Sequence, residues 1–234
     1  MSDQHPIHIA KSLEYGWDVL SKRWLALVLW TIILSVPYFL MYAAMLIFVV
    51  VSPDHRYPQY FEWINVAVNL IPFMLYTKVA LLCMDDEPAD LGSVLGGFRF
   101  LIPFAVASFL FYLAVFLGTC ALIIPGIYFG LSLGLYPFLV VDQFMGPIEA
   151  LKRSWAITRG HLKQLVFLVF VLCMVIFGGL ICFVVGVIPA SIVSTVALAD
   201  VYRRLDQAYD QLNEESEASA LEEDESEPEE EIAG

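Results

Sequence analysis

Charge is scarce in this sequence. Only 16% of its 234 residues are Asp, Glu, Lys or Arg, against roughly 25% in an ordinary soluble domain. Hydrophobic residues make up 59%, in several runs longer than the ~18 residues that read as a membrane span. A soluble globular fold is therefore excluded. Basic residues are absent beyond Arg204, and 12 of the 25 acidic residues lie in 207–234. The remaining 13 acidic and 12 basic residues nearly cancel, so the net charge of −13 belongs to an appendage. No basic domain exists, which excludes nucleic acid as a partner.

Cysteine is also sparse. Cys83, Cys120, Cys173 and Cys182 form no CxxC pair and sit in or beside apolar runs. They read as small packing residues rather than disulfide or metal ligands. The histidines, His5, His8, His55 and His161, do not converge, and the His5/His8 pair is a weak metal signal. No HExxH, Walker loop or GxGxxG is present, so no catalytic residue, metal or cofactor is expected. The first twenty residues lack an apolar h-region, so the first apolar run is expected to be retained as a span.

What is present is an all-α integral membrane pattern. Six spans are expected, near 24–51, 61–84, 99–121, 124–142, 163–185 and 187–203, arranged as three hairpins. Pro37 lies inside the long first span, which predicts a tilt or kink there. "LIIPGIY" (122–128) and "GVIPASI" (186–192) are tight Ile-Pro turns joining spans 3 to 4 and 5 to 6. With the N-terminus inside, Lys11, Lys22, Arg23, Arg99, Lys152, Arg153, Arg159, Lys163, Arg203 and Arg204 lie inside, Lys78 near the inner end of span 2, and Arg56 outside. The positive-inside rule then places both termini in the cytoplasm.

An amphipathic helix is expected at 147–160. Pro147 suits its first turn and Glu149 its positive end. Ile148, Leu151, Trp155 and Leu162 form one greasy stripe, with Lys152, Arg153 and Arg159 on other faces. Such a helix lies in the membrane interface. Similar stretches, "SLEYGWDVLSKRW" (12–24) and "LGSVLGGFRFL" (91–101), precede spans 1 and 3. Each of the three carries a small residue followed by an aromatic: Gly16–Trp17, Gly97–Phe98 and Ser154–Trp155. The expected lipid-surface residues are Trp17, Lys22, Arg23, Phe98, Arg99, Lys152, Arg153, Trp155 and Arg159. The chain thus divides into an interfacial helix at 1–23, a membrane domain at 24–205 and an acidic, largely disordered tail at 206–234. Whether the three helix-plus-hairpin units are repeats, or merely meet a shared need for an aromatic and a cation at the interface, stays open.

The stretch "LIIPGIYFGLSLGLYPFLVVDQFMGPIEALKRSWAITRGH" (122–161) resembles the YciC-type bacterial inner-membrane family. Its relatives include the membrane region fused to some glycerophosphoryl diester phosphodiesterases. The "IPGIY" turn, the close on "PFLVVD" and "GPIEALKRSWAITRG" carry the resemblance. It implies a multi-pass protein of the bacterial cytoplasmic membrane. No soluble phosphodiesterase domain follows span 6, so that activity is not carried over.

Three polar or small-residue patterns remain. Gly126, Gly130 and Gly134 repeat a GxxxG spacing on span 4, which packs against a neighbouring span or a second copy in a homodimer. Asn65 and Asn69, with Lys78, either bond across to another helix or line a polar path. Asp86 and Asp90 in "MDDEPAD" give a loose acidic motif that would suit Mg²⁺ on a lipid phosphate; a solvated turn capping the next helix is the plainer reading. Asp142 would pair with Lys152, Arg153 or Arg159 or be solvated at the headgroups, and Asp200 with Arg203 or Arg204. Three functions follow: a non-catalytic membrane organiser or scaffold first, a transporter or channel for lipid or small solute second, and a membrane-embedded enzyme third. The expected partners are anionic lipid at the inner leaflet and, for the acidic tail, a basic cytoplasmic protein.

Overall fold

The computed structural model describes residues 9–51, 60–181 and 186–226, apart from the side chains of 60–63, 66–67 and 220–226. His5, His8, His55, Arg56, Cys182 and the end of span 5 lie outside the described residues. Within them the protein is entirely helical: α1 Ile9–Val51, α2 Tyr60–Met84, α3 Leu91–Leu95 running into a 3₁₀ turn at Gly96–Phe100, α4 Leu101–Ala121, α5 Ile123–Leu133, α6 Tyr136–Asp142, α7 Pro147–Thr158, α8 Leu162–Ile181 and α9 Val187–Ser226. Four stretches are long and apolar enough to cross a membrane by length and composition: Ile9–Val51, Leu91–Ala121, Ile123–Asp142 and Leu162–Ile181. Val68–Met84 is a shorter apolar helix. The class is thus an all-α protein with several membrane-grade helices.

Breaks in the helices have local causes. α1 bends at Arg23 (φ −124°, ψ 27°), while Pro37 sits within regular helix; the kink expected at the proline is displaced to the cation. A single extended residue, Leu122 (φ −167°, ψ 153°), joins α4 to α5. Pro125 falls in the first turn of α5 and Pro189 in that of α9, where a missing N–H leaves no bond unmade. The expected fourth span is divided at Gly134–Leu135 into α5 and α6. Gly160 (φ +99°) follows α7 in the left-handed region, which only glycine enters freely.

Consecutive long helices pack in pairs: α1 on α2, α4 on α5 and α8 on α9, and α1 also lies along α9. α2, α6 and α9 are the buried members. Val79 and Leu82 of α2, Leu139 and Val140 of α6, and Val196, Ala197 and Val201 of α9 are all buried. Phe138 stacks on Tyr202 with ring centroids 5.5 Å apart, joining α6 to α9. By contrast Phe39, Leu40, Phe109, Phe116, Phe170 and Phe177 on α1, α4 and α8 are exposed. Large exposed apolar surfaces of this kind are tolerated in lipid, not in water.

α9 continues through the acidic segment as helix to Ser226. The helix takes in Tyr202, Leu205, Tyr209 and Leu212, whose apolar spacing predicts its extension past span 6, and runs on over 213–226. Glu, Ala, Leu and Gln dominate 206–226, and all have high helix propensity. Tyr209 packs against the core, while residues 211–219 are exposed.

Candidate functional site

Among the described residues, the short surface segments and the long-range ion pairs gather at one end of the bundle. The three short segments 9–22, 91–100 and 147–158 are seated there by the same device. Gly16 faces α9 so closely that a Cβ would stand 2.8 Å from the Val193 carbonyl oxygen. Gly97 faces α2, where a Cβ would stand 3.5 Å from Leu75 and 4.0 Å from Lys78 Cγ. Ser154 faces α5 and the α5–α6 turn: its hydroxyl donates to the Ser132 carbonyl at 2.9 Å and accepts from the Leu135 N–H at 3.3 Å. All three small residues are buried, and the aromatics that follow them, Trp17, Phe98 and Trp155, are exposed.

The register is shared. Val193, Lys78 and Leu135 each lie seven residues before an aspartate: Asp200, Asp85 and Asp142. Asp85 precedes Gly97 by twelve residues, and Asp142 precedes Ser154 by twelve. The three aspartates stand where the apolar stretches of α2, α6 and α9 give way to charged sequence, and Arg203 joins two of them. Its guanidinium grips Asp85 with both terminal nitrogens and lies 3.6 Å from Asp142. Tyr202 donates to Asp142 at 3.2 Å. Asp200 accepts from Ser12 at 2.6 Å and pairs with Arg204 at 2.8 Å. The partner expected for Asp142 among Lys152, Arg153 and Arg159 is therefore replaced by Arg203, which one more turn of α9 carries to it.

Several expected lipid contacts are used inside the protein. Arg153 pairs with Asp206 at 2.7 Å and Asp210 at 2.6 Å and lies 5.3 Å from the Tyr209 ring centroid. Gln143 also bonds Asp206. Burial disfavours the Arg153 charge, but the bonds from Asp206 and Asp210 outweigh it and its pKa is raised. Arg23 donates to the Glu87 and Asp86 carbonyls at 2.6 and 2.7 Å, pinning the turn after α2. Arg99 lies over the rings of Phe100 and Phe144, at 4.4 and 4.8 Å. Lys22 bonds Asp18 on its own helix at 2.6 Å. Lys152 and Arg159 are exposed cations on α7 and just after it.

The remaining expected sites divide as follows. Asp86 is held by Arg23 at 3.4 Å, and Asp90 caps α3 by accepting from the Ser93 N–H at 3.0 Å. With Asp85 gripped by Arg203, the three aspartates of "MDDEPAD" each have a structural partner. Among the described residues no group of three or more His, Cys, Asp or Glu is placed to hold a metal. Asn69 bonds the backbone and side chain of Asn65 on its own helix, and nine residues of helix, about 14 Å, separate it from Lys78. The polar path through Asn65, Asn69 and Lys78 is not assembled. Of the three glycines, Gly126 alone makes a close approach to another helix: a Cβ there would run into Thr119, 3.0 Å from its Cα. A Cβ on Gly130 would meet nothing within 4 Å, and Gly134 falls in the turn against its own chain. The glycine strip is thus cut by the α5–α6 break.

α7 also shows a face that the periodicity did not announce. Ala150, Ser154, Ile157 and Thr158 are buried against the bundle, whereas Ile148 and Trp155 of the greasy stripe point outward. The inward face is made of small and β-branched residues, so a scan for large apolar side chains passes over it.

No family model matches the chain, and no curated protein or solved structure matches it.

Proposed function

We propose that this chain is a non-catalytic, six-span protein of the bacterial cytoplasmic membrane that organises the inner leaflet or scaffolds a partner there. The resemblance of residues 122–161 to the YciC-type family belongs to the same reading. Three units of surface helix plus helical hairpin form a closed ring. In each unit the surface helix sits on the second span of the unit before it: 91–100 on α2, 147–158 on α5–α6, and 9–22 on α9. Both termini and all three surface helices then share the cytoplasmic side.

One observation carries the reading: all three seats bury the small residue and turn the next aromatic outward. An aromatic belt beside cations at one end of an apolar bundle is suited to a headgroup layer. The second spans meet through apolar side chains, and the hydroxyls of Thr31, Ser191 and Thr195 near Tyr76 bond carbonyls of their own helices at 2.7–2.9 Å. These four hydroxyls converge but carry no charge, and three of them are engaged by backbone carbonyls, whereas a path for an anion or headgroup would need charged groups there; transport therefore ranks second. Purified protein in sealed vesicles should move neither fluorescent phospholipid nor small anions faster than empty vesicles. Movement above that background, lowered by Asn69→Ala or Lys78→Ala, would replace this reading with the transporter.

A further inference from the structure

Beside Trp155 the bundle has a groove of about 300 Å³ lined by Leu110 of α4, Leu133 of α5, and Ile148, Leu151, Lys152 and Trp155 of α7. Lys152 is its one polar lining residue. The indole is fixed at the edge, because its N–H donates to the Tyr128 hydroxyl at 3.1 Å. That bond satisfies the ring's polar atom and leaves its apolar face to the groove.

We propose that this groove seats one anionic phospholipid, with an acyl chain along Leu110, Leu133, Ile148 and Leu151 and the headgroup phosphate on Lys152. The inference rests on the membrane placement proposed above, which puts α7 at the level of the headgroups. Charge decides the occupant. The adjacent cation, Arg153, is already bound by Asp206 and Asp210, whereas Lys152 stands at the groove with an exposed side chain. Glu149, one turn back, lines the concavity on the other flank with Arg153 and Tyr209, and Lys152 borders both. The slot itself is wholly apolar and takes only the alkyl stem of Lys152, so this exposed cation beside apolar walls matches a lipid that carries one phosphate charge above its chains. A neutral chain would fill the slot without using Lys152, and a soluble anion would use Lys152 without filling the slot.

The test is lipid retention by the full-length protein in native mass spectrometry, titrating phosphatidylglycerol or phosphatidylcholine into detergent solution. One phosphatidylglycerol should be retained in preference to phosphatidylcholine. Lys152→Gln should weaken that retention about fivefold, the effect of losing one cation near a phosphate. Ile148→Trp, at a position 60% exposed, should block the groove and remove the retained lipid without unfolding the chain. Lys163→Gln, at an exposed position outside the groove, should leave it unchanged. Equal retention of the two lipids, or wild-type retention by either Lys152→Gln or Ile148→Trp, would overturn the proposal. Vesicle cargo movement bears on the functional reading and not on this site, so the two failures are distinguishable.

Discussion

At the scale of single residues, the charged end of the bundle is held by specific pairs rather than by a diffuse field. Arg153 and Asp206 are both substantially buried, with side chains 21% and 9% exposed. Removing Arg153 leaves Asp206 desolvated and without its cation, with only Gln143 still bonded to it, which costs about 1–3 kcal/mol. Arg153→Ala should therefore lower the thermal midpoint in detergent, and a double-mutant cycle with Asp206→Asn should return a coupling of about 0.5–3 kcal/mol. The glycines of α5 predict opposite signs. Gly126→Ala forces a Cβ into Thr119 and should destabilise by about 1–3 kcal/mol. Gly130→Ala meets open space and should be neutral or stabilise by up to ~1 kcal/mol through helix propensity. Thermal unfolding of the two variants side by side checks this. A GxxxG spacing marks both positions equally; Gly126 touches a neighbour because it lies four residues after the extended joint at Leu122, where α4 and α5 are closest, and no spacing rule contains that.

At the scale of elements, the short segments are held by caps and small-residue seats. Asp90 caps α3, and its carboxyl is held below the usual carboxylate range by the Ser93 hydroxyl and then by the Ser93 backbone N–H. A lowered native pKa stabilises the ionised form, so the cap is fully present above the unfolded value of about 3.9. It is lost as pH falls through the native value. Amide exchange at Ser93, corrected for its intrinsic rate, should show protection that is flat from pH 7 to 5 and declines below about 4. Much of this level was legible beforehand. Pro147, Glu149 and Gly160 mark α7, and the Ile-Pro turns mark the starts of α5 and α9. The apolar stripe of Tyr202, Leu205, Tyr209 and Leu212 marks the extension of α9, but the helical course of 213–226 was not legible, because a low-complexity acidic composition reads as unable to bury surface. The structure carries it as a continuation of α9 anchored by Asp206, Tyr209 and Asp210.

At the scale of the whole molecule, what sequence shows and what it hides separate by range. Hydropathy shows membrane-grade helices, and the lysines and arginines show which segments belong together. Neither shows that Arg203 reaches Asp85 across 118 residues, or that Ser12 reaches Asp200 across 188. The recurring interval between a span-ending aspartate and a small residue, twelve residues at Asp85–Gly97 and Asp142–Ser154, is the one local trace of that closure. The ring predicts that Gly16→Leu, Gly97→Leu and Ser154→Leu all lower thermal stability, since each drives a side chain into the second span of the preceding unit. It also predicts a single sidedness, and this is the measurement to make first. Cysteines introduced one at a time at positions 17, 98, 155, 219 and 56, in a chain whose four native cysteines are replaced, would be labelled by a membrane-impermeant maleimide in intact and opened cells. Positions 17, 98, 155 and 219 should react only after the membrane is opened, and position 56 in intact cells. Labelling of 17, 98 or 155 on the side opposite 219 would contradict the ring and, with it, the inner-leaflet role.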